Sequence, residues 1–196
     1  MRTNPRDVVE VAIEAGRSIL EVYDSSSGIE VETKDDSSPL TRADIAAHET
    51  IMKQLMTIDP GTPIVSEEGN EGNPLDSELS WLVDPLDGTK EFIKRNGMFT
   101  VNIALMRRTE NRWAPVFGVV HAPASGKTWF GGNQQPAKTI IGQEQTKISV
   151  NSKLERPIKL VASGSHRSKK DESFAAALGD HDLVRMGSSL KACAVA

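Results

Sequence analysis

Hydrophobic residues recur at helical spacing in two stretches near the start of the chain. The first follows Asn4 and Pro5, which suit the cap and first turn of a helix, and its stripe consists of Val9, Ile13, Gly16, Leu20 and Tyr23. The second follows Thr41, and its inner face consists of Ala47, Ile51, Leu55 and Ile58. Between them, apolar and charged residues alternate over residues 29–34. The pattern predicts two helices around a short, half-buried strand.

Alternating patterns dominate the middle of the chain. Residues 80–83 form an apolar run that predicts a short buried strand, ended by Asp84 and the turn-forming Pro85. A shorter strand is predicted before Glu67 and Glu68, followed by a loop over residues 70–78. Three further strands are predicted at residues 99–106, 116–121 and 127–130. Because no helical pattern separates these three, they predict an antiparallel meander.

The pattern changes near residue 151. A buried strand at residues 158–162 precedes a helix at 170–178 and another strand at 182–186, an order typical of α/β folds. We therefore predict two domains. Residues 1–150 form the larger α+β domain, and residues 151–196 form the start of a smaller α/β domain.

Composition narrows the class of protein. With 38% hydrophobic and 26% charged residues, the 196-residue chain has an ordinary globular composition. A formal net charge of −4 gives no reason to expect a nucleic acid polymer as partner, and a bound polyanion would need local cations. The single cysteine, Cys193, excludes an internal disulfide and is expected to be buried. No apolar run has the length of a membrane span, so we expect a cytoplasmic enzyme, with peripheral association at the inner membrane left open.

The stretch Asp-Pro-Leu-Asp-Gly-Thr at residues 84–89 carries the strongest chemical signal. A turn at this point aims the carboxylates of Asp84 and Asp87 at one place, and Gly88 lets the backbone approach a ligand closely. The amides from Gly88 onward would open a helix, where free N–H groups attract a phosphate. Two carboxylates beside a phosphate require cations, and Mg²⁺ takes such hard oxygen ligands. The alternative is a plain strand-to-helix turn with Asp-Pro and Asp-Gly as turn residues.

This hexapeptide resembles the signature of the inositol monophosphatase superfamily, the lithium-sensitive, magnesium-dependent phosphatases. The continuation Lys-Glu-Phe-Ile-Lys-Arg-Asn-Gly at residues 90–97 is most similar to that of CysQ-type 3'(2'),5'-bisphosphate nucleotidases. Inositol monophosphatases usually carry Thr-Asn where this chain has Lys90 and Glu91. Met98 departs from the CysQ-type pattern, in which an acidic residue is usual at this position.

The resemblance implies a layered α-β-α-β-α sandwich whose larger domain binds metal and phosphate. Two or three Mg²⁺ ions would be held by Glu67, Asp84, Asp87 and the carbonyl oxygen of Leu86. The pattern Lys-x-Asp-x-Ser-Pro-x-Thr-x-x-Asp, matched over residues 34–44, implies that Asp36 or Asp44 activates the attacking water together with Thr89. For Asp44 the alternative is a helix capping box with Thr41. The sequence leaves open which acid acts on the water.

The resemblance also implies substrate contacts from both domains. In the larger domain the implied contact residues are Glu67, Leu86, Asp87, Gly88 and Thr89. In the smaller domain they are Ser163 and His166 in one loop, and Ser189 and Lys191 in the next. Both loops follow predicted strand ends, where α/β sheets place their ligand sites. Without the resemblance, His166 is an ordinary loop histidine and Lys191 an ordinary surface lysine.

The implied reaction is hydrolysis of the 3'-phosphate of adenosine 3',5'-bisphosphate, or of its sulfated relative, to an AMP-type product. The alternatives are an inositol monophosphatase and a non-catalytic phosphoester-binding protein. The partner is then a small nucleotide, and the oligomeric state stays open. Zinc is disfavoured, because ligand spacing is absent from the four histidines, His48, His121, His166 and His181.

Relatives of this type continue with a Trp-Asp-x-Ala-Ala-Gly segment, whose aspartate ligates the second metal. All three tryptophans of this chain, Trp81, Trp113 and Trp129, precede the place where that segment is expected. We therefore expect the chain to lack the C-terminal part of the fold. The absence of a polar or capping tail after Ala196 favours an incomplete chain over a natural short form with an impaired second metal site.

Overall fold

The computed structural model describes residues 3–25, 31–33, 39–110, 112–153, 155–164 and 168–196. Its first two helices lie where the hydrophobic stripes predict them, as α1 (Pro5–Tyr23) and α2 (Arg42–Ile58). Asn4 caps α1, because its Oδ1 accepts the Arg6 N–H at 3.1 Å. The two helices pack on each other and bury their apolar stripes, among them Ile19, Ile51 and Leu55.

Eight strands form one sheet, in the order β10-β9-β8-β7-β6-β5-β3-β4. Within it only β3 and β5 pair in parallel. A small antiparallel pair, β1 (Val31–Thr33) and β2 (Pro39–Thr41), precedes the sheet. The strands of the sheet are β3 (Ile64–Ser66), β4 (Gly69–Glu71), β5 (Leu79–Asp87), β6 (Thr100–Arg108), β7 (Trp113–Ala122), β8 (Lys127–Gly132), β9 (Gln135–Ile141) and β10 (Glu144–Lys147). The predicted meander is confirmed, and β9 and β10 extend it.

Helices α1 and α2 cover one face of the sheet. Strand β5 buries Trp81 and Val83 towards them, whereas Leu82 between these two is 47% exposed. This is the period-two pattern of a strand with one covered face. The Trp81 Nε1–H donates to Asp59 Oδ2 at 3.0 Å, at the end of α2, so the buried indole keeps a hydrogen-bond partner.

The chain after residue 150 forms the predicted α/β arrangement. Strand β11 (Ile158–Ser163) and strand β12 (His181–Met186) pair in parallel, connected by α4 (Lys169–Leu178). A shorter helix, α5 (Leu190–Cys193), follows β12. Ser163 pairs with Met186, so the loops after both strands leave the same edge of this small sheet. The division into two domains at residue 150 stays a prediction.

Three expectations about local structure are wrong. Strand β5 does not end at Asp84 but continues to Asp87 through an irregularity. The stretch 70–78, expected to be a loop, contains most of β4 and a 3-10 turn at Pro74–Asp76. Cys193 is only half-buried. No helix in the described ranges has the length and apolar character needed to cross a membrane.

Candidate active site

A bulge in β5 brings Asp84 and Asp87 to one face of the sheet. Asp84 pairs with Asn102 of β6 and Asp87 pairs with Thr100, so β5 contains one residue more than β6 between these pairs. In a regular strand, side chains three residues apart point to opposite faces. The extra residue in the bulge cancels this alternation, so the side chains of Asp84 and Asp87 point to the same face. Pro85 fits within the irregular stretch, because a bulge leaves a backbone position outside the ladder.

Asp84 carries the electrostatic signature of the site. Its Oδ1 is buried and has no hydrogen-bond partner within the described ranges. Burial, and then the negative charges of Asp87, Glu67 and Asp44, together raise the pKa of this carboxyl from 3.8 to about 7. A hydrogen bond from the Leu86 backbone opposes the rise. Four carboxylates therefore lie close enough to repel one another.

Asp87 connects this cluster to the chain after β12. Its Oδ2 accepts hydrogen bonds from the backbone N–H and the hydroxyl of Ser189, both at 2.6 Å. The side chains of Asn102 and Thr100 donate to the same oxygen at 3.4 and 3.5 Å. The carboxylate of Asp87 is thus fixed by donors from β6 and from the loop that precedes α5.

Thr89 and Asp44 are in contact, as the resemblance implies. Gly88 has φ of 96° and begins α3 (Thr89–Ile93), which leaves the Thr89 hydroxyl within 3.3 Å of both Asp44 Oδ1 and the Leu86 carbonyl oxygen. The other oxygen of Asp44, Oδ2, accepts the N–H and the hydroxyl of Thr41 at 2.8 and 2.6 Å. The capping box is therefore present at the start of α2, and Asp44 contacts Thr89 as well. The two interpretations of Asp44 do not exclude each other.

Glu67 lies at the tip of a tight hairpin beside Asp84. Ser66 of β3 pairs with Gly69 of β4, so Glu67 and Glu68 form a two-residue connection. The Glu67 N–H donates to the Val83 carbonyl at 3.1 Å, directly before Asp84 in the neighbouring strand. The order of β3 and β5 in the sheet thereby brings together acids that are seventeen positions apart in the chain.

The smaller α/β part contributes the loop at residues 187–189. A Cβ on Gly88 would lie 3.2 Å from Ser188 Cβ, so this loop packs closely on the turn after β5. Lys191 Nζ donates to the Ser188 carbonyl at 2.6 Å, and Ser188 has φ of 47°. Ser163 ends the neighbouring strand β11. Two predicted site residues, Asp36 and His166, lie outside the described residues.

A cavity of about 830 Å³ opens next to the acids. Its polar side includes Glu67, Asp84, Asn102 and Ser189, and its apolar side is the uncovered face of the sheet, with Leu82, Val120 and Trp129. Its volume lies within the range that small-molecule sites occupy. The cavity therefore has room for an organic ligand beside the carboxylates.

The donor chemistry of the cluster fits a hard divalent cation. Its ligands would be carboxylate and carbonyl oxygens, which Mg²⁺ prefers and Zn²⁺ does not. Within the described ranges, no three acidic, histidine or cysteine side chains stand together as a complete ligand set.

Sequence reasoning missed the polar residues that support the acids. Thr100 and Asn102 lie on the face of β6 opposite to the buried Val101 and Ile103, and both donate to Asp87. The alternation that predicts β6 already separates these two polar positions from the apolar ones. Their significance depends on the register with β5, which a single sequence does not reveal.

Comparison with known proteins identifies the family. The inositol monophosphatase family model matches residues 5–196, and the chain belongs to this family. It is 41% identical to the 3'(2'),5'-bisphosphate nucleotidase CysQ of Escherichia coli K12 over 191 residues, which are 96% of this chain and 75% of that protein. The 3'(2'),5'-bisphosphate nucleotidase CysQ of Haemophilus influenzae is 28% identical over 93% of this chain and 67% of its own length.

A solved structure extends the similarity to three dimensions. The crystal structure of CysQ from Bacteroides thetaiotaomicron, a bacterial member of the inositol monophosphatase family, matches with a TM-score of 0.82 and 33% identity. The match covers 100% of this chain and 77% of that one. The fold class and the family predicted from the sequence are thereby confirmed. The expected lack of a C-terminal segment stays a prediction.

Proposed function

We propose that this chain is a magnesium-dependent 3'(2'),5'-bisphosphate nucleotidase that acts on adenosine 3',5'-bisphosphate or its sulfated relative. The observation that carries the proposal is Asp84, whose buried Oδ1 lacks a partner in the described part of the chain and whose pKa is about 7. A buried carboxylate among other acids needs a cation to remain charged at neutral pH. The names of the CysQ relatives support the substrate class.

The residues that would hold Mg²⁺ are Glu67, Asp84, Asp87 and the carbonyl of Leu86. When bound, Mg²⁺ would supply a Lewis acid for the phosphate and lower the pKa of water. All of these ligand atoms are oxygens, and the charges of the neighbouring acids act on Asp84. Asp87 can take part through Oδ1, because its four hydrogen-bond donors all contact Oδ2.

Thr89 and Asp44 would prepare the attacking water. The Thr89 hydroxyl can pass its proton to Asp44 Oδ1, 3.3 Å away, while its oxygen accepts a proton from water. Asp44 Oδ2 accepts both hydrogen bonds from Thr41, and Oδ1 is the oxygen that contacts Thr89. Water then adds to phosphorus as the bond to the 3'-oxygen breaks. The leaving 3'-oxygen takes up a proton from solvent, and the products are inorganic phosphate and AMP.

Phosphate release from adenosine 3',5'-bisphosphate and from inositol 1-phosphate, with and without Mg²⁺, tests the proposal. We expect Mg²⁺-dependent release from the nucleotide and much slower release from the inositol phosphate. Asp87→Asn should abolish release, since an amide cannot replace the carboxylate charge. Equal rates on both substrates would reject the nucleotidase assignment, and release by Asp87→Asn at the wild-type rate would reject the metal site.

A further inference from the structure

Helix α2 carries a second polar side chain on the side of the acidic site, and neither the motifs nor the proposed reaction uses it. His48 follows Asp44 by four residues, so both lie on one face of the helix, one turn apart. The His48 Nδ1 is 2.9 Å from Ser66 Oγ. Its ring also packs on Gly69, where a Cβ would lie 3.7 Å from Nε2. The half-buried imidazole therefore sits against both residues that close the Glu67 hairpin.

Two hydrogen bonds meet at the Ser66 hydroxyl. Its oxygen accepts the Glu68 N–H at 3.4 Å, and the hydroxyl also pairs with His48 Nδ1 at 2.9 Å, in the direction that the imidazole tautomer sets. Ser66 is 7% exposed, so water competes little for either bond. The resulting chain runs from the Glu68 amide through Ser66 to the imidazole. This chain of hydrogen bonds holds the Glu68 end of the turn, which lies beyond the residues that pair between β3 and β5.

The other end of the turn is fixed by the sheet. The Glu67 N–H donates to Val83, and the Ser66 N–H donates to Asn70 Oδ1 at 3.2 Å. Glu67 itself is exposed, at the tip of a two-residue turn. Its negative charge acts on Asp84, so a shift of the backbone of the turn would move that charge relative to Asp84.

We propose that His48 is a positioning residue that holds Glu67 in the acidic site. Through Asp44, α2 contacts Thr89, and through His48 it contacts the hairpin that carries Glu67. The single helix α2 thus contacts both the Thr89 hydroxyl and the Glu67 hairpin, and it sets the distance between them. The consequence for metal affinity rests on the proposed function. Residues that orient metal ligands by hydrogen bonding typically change affinity about 10–100-fold when removed.

Two variants of His48 form a matched pair. The side-chain oxygen of Asn takes roughly the position of the imidazole Nδ1, whereas that of Gln takes the position of Nε2. His48→Asn should therefore keep a hydrogen-bond partner for Ser66, and His48→Gln should lose it. In the metal-free protein, we expect the Glu68 amide to exchange with solvent about tenfold faster in His48→Gln than in wild type or His48→Asn.

Calorimetric titration with Mg²⁺ measures the consequence for the acidic site. We expect His48→Gln and Ser66→Ala each to weaken Mg²⁺ binding about tenfold, and His48→Asn to bind almost as wild type does. The double variant should bind no worse than the weaker single variant, because both remove the same hydrogen bond. Additive losses would mean that the two residues act separately and would overturn the proposal.

Two results separate this inference from the proposed function. If wild type binds Mg²⁺ and His48→Gln matches it in both affinity and Glu68 exchange, the positioning role is wrong and the nucleotidase assignment stands. If wild type binds no Mg²⁺, the proposed function and the effect on metal affinity are both wrong. The exchange rates would then still decide whether His48 holds the hairpin.

Discussion

At the scale of single residues, the contacts of Thr89 bear most directly on the reaction. Its hydroxyl has two acceptors within 3.3 Å, and one of them is the buried carboxylate of Asp44. A hydroxyl in that position can orient water and transfer a proton. Its side chain is not needed to bind the remote part of a nucleotide.

Thr89→Ala should therefore lower kcat by about 100-fold or more and leave KM nearly unchanged. Thr89→Ser, which keeps the hydroxyl, is the control and should retain most of the activity. Steady-state kinetics on adenosine 3',5'-bisphosphate at saturating Mg²⁺ measures both constants. A raised KM with an unchanged kcat would move Thr89 into a purely binding role.

Much of the acidic cluster is predictable residue by residue, because its acids stand in short, specific motifs. Asp84, Asp87 and Thr89 lie within six positions, so they are close together whether the chain turns there or continues as a bulged strand. His48, Thr100 and Asn102 were not predicted as site residues. The partners of Thr100 and Asn102 lie on β5 and depend on the register of the sheet, and the partner of His48 depends on how α2 packs on β3.

At the scale of elements, a buried histidine of the sheet packs against α1. His121 of β7 is 5% exposed, and its Nδ1 lies 2.8 Å from Thr128 Oγ1. A Cβ on Gly16 of α1 would come within 2.6 Å of the ring, so the glycine makes room for it. Burial, and then the charge of Arg17, lower the pKa of His121 from 6.5 to about 4.

This depressed pKa predicts a pH-dependent loss of stability. Above pH 6.5 the histidine is neutral in both states, and between pH 6.5 and 4 only the unfolded chain takes up the proton. The free energy of unfolding should fall over that window, by at most about 3 kcal/mol from this residue. His121→Asn keeps a polar partner for Thr128 and does not titrate. Denaturant unfolding at pH 7.5 and pH 4.5 should show a smaller loss in the variant, and equal losses would contradict the assignment.

The loop after β12 gives a second element-scale prediction. A Cβ on Gly187 would lie 2.7 Å from Glu91 Cγ and 3.0 Å from the Met98 carbonyl oxygen. Gly187→Ala should therefore displace the loop and release Ser189 from Asp87. We expect at least a tenfold loss of activity towards the nucleotide, with a small change in thermal stability. In Gly118→Ala of β7 the nearest atom would be 3.9 Å away, and this control should remain active. Unchanged activity in Gly187→Ala would show that the loop does not position Ser189.

Elements with strong periodicity were predicted well, and irregular ones were not. The bounds of α1, α2, β11, α4 and β12 lie within about three residues of the prediction. The bulge in β5 was missed, because Pro85 indicates a turn and only the pairing with β6 shows that the strand continues. Strands β9 and β10 are the last two strands at one end of the sheet, and they were missed because their residues are largely exposed, which weakens the hydrophobic alternation.

At the scale of the whole molecule, the acidic site lies where the large sheet meets the smaller α/β part. Oδ2 of Asp87 accepts hydrogen bonds both from side chains of β6 and from Ser189. Lys191 stands two residues further on and supports the same loop through the Ser188 carbonyl. A ligand that spans both parts would contact the acids at one end and this loop at the other.

This arrangement predicts how substrates are distinguished. A bisphosphate nucleotide carries a second phosphate, and we expect Lys191 to bind it by an ion pair. Lys191→Met keeps the aliphatic chain but removes the charge, so turnover of adenosine 3',5'-bisphosphate should fall about tenfold or more. Any activity on inositol 1-phosphate should change little. Equal losses on both substrates would indicate that Lys191 only supports the loop.

If the acids around Asp84 form a cation site, the unfolding of Asp84→Asn with and without Mg²⁺ should reveal it. Without Mg²⁺ at pH 8, the variant should be more stable than wild type by about 1–3 kcal/mol, because it removes a buried charge next to three acids. Mg²⁺ at about 100 times its dissociation constant should stabilise wild type by about 2.7 kcal/mol and stabilise the variant far less. Equal stabilisation of both proteins by Mg²⁺, or none in wild type, would contradict the account.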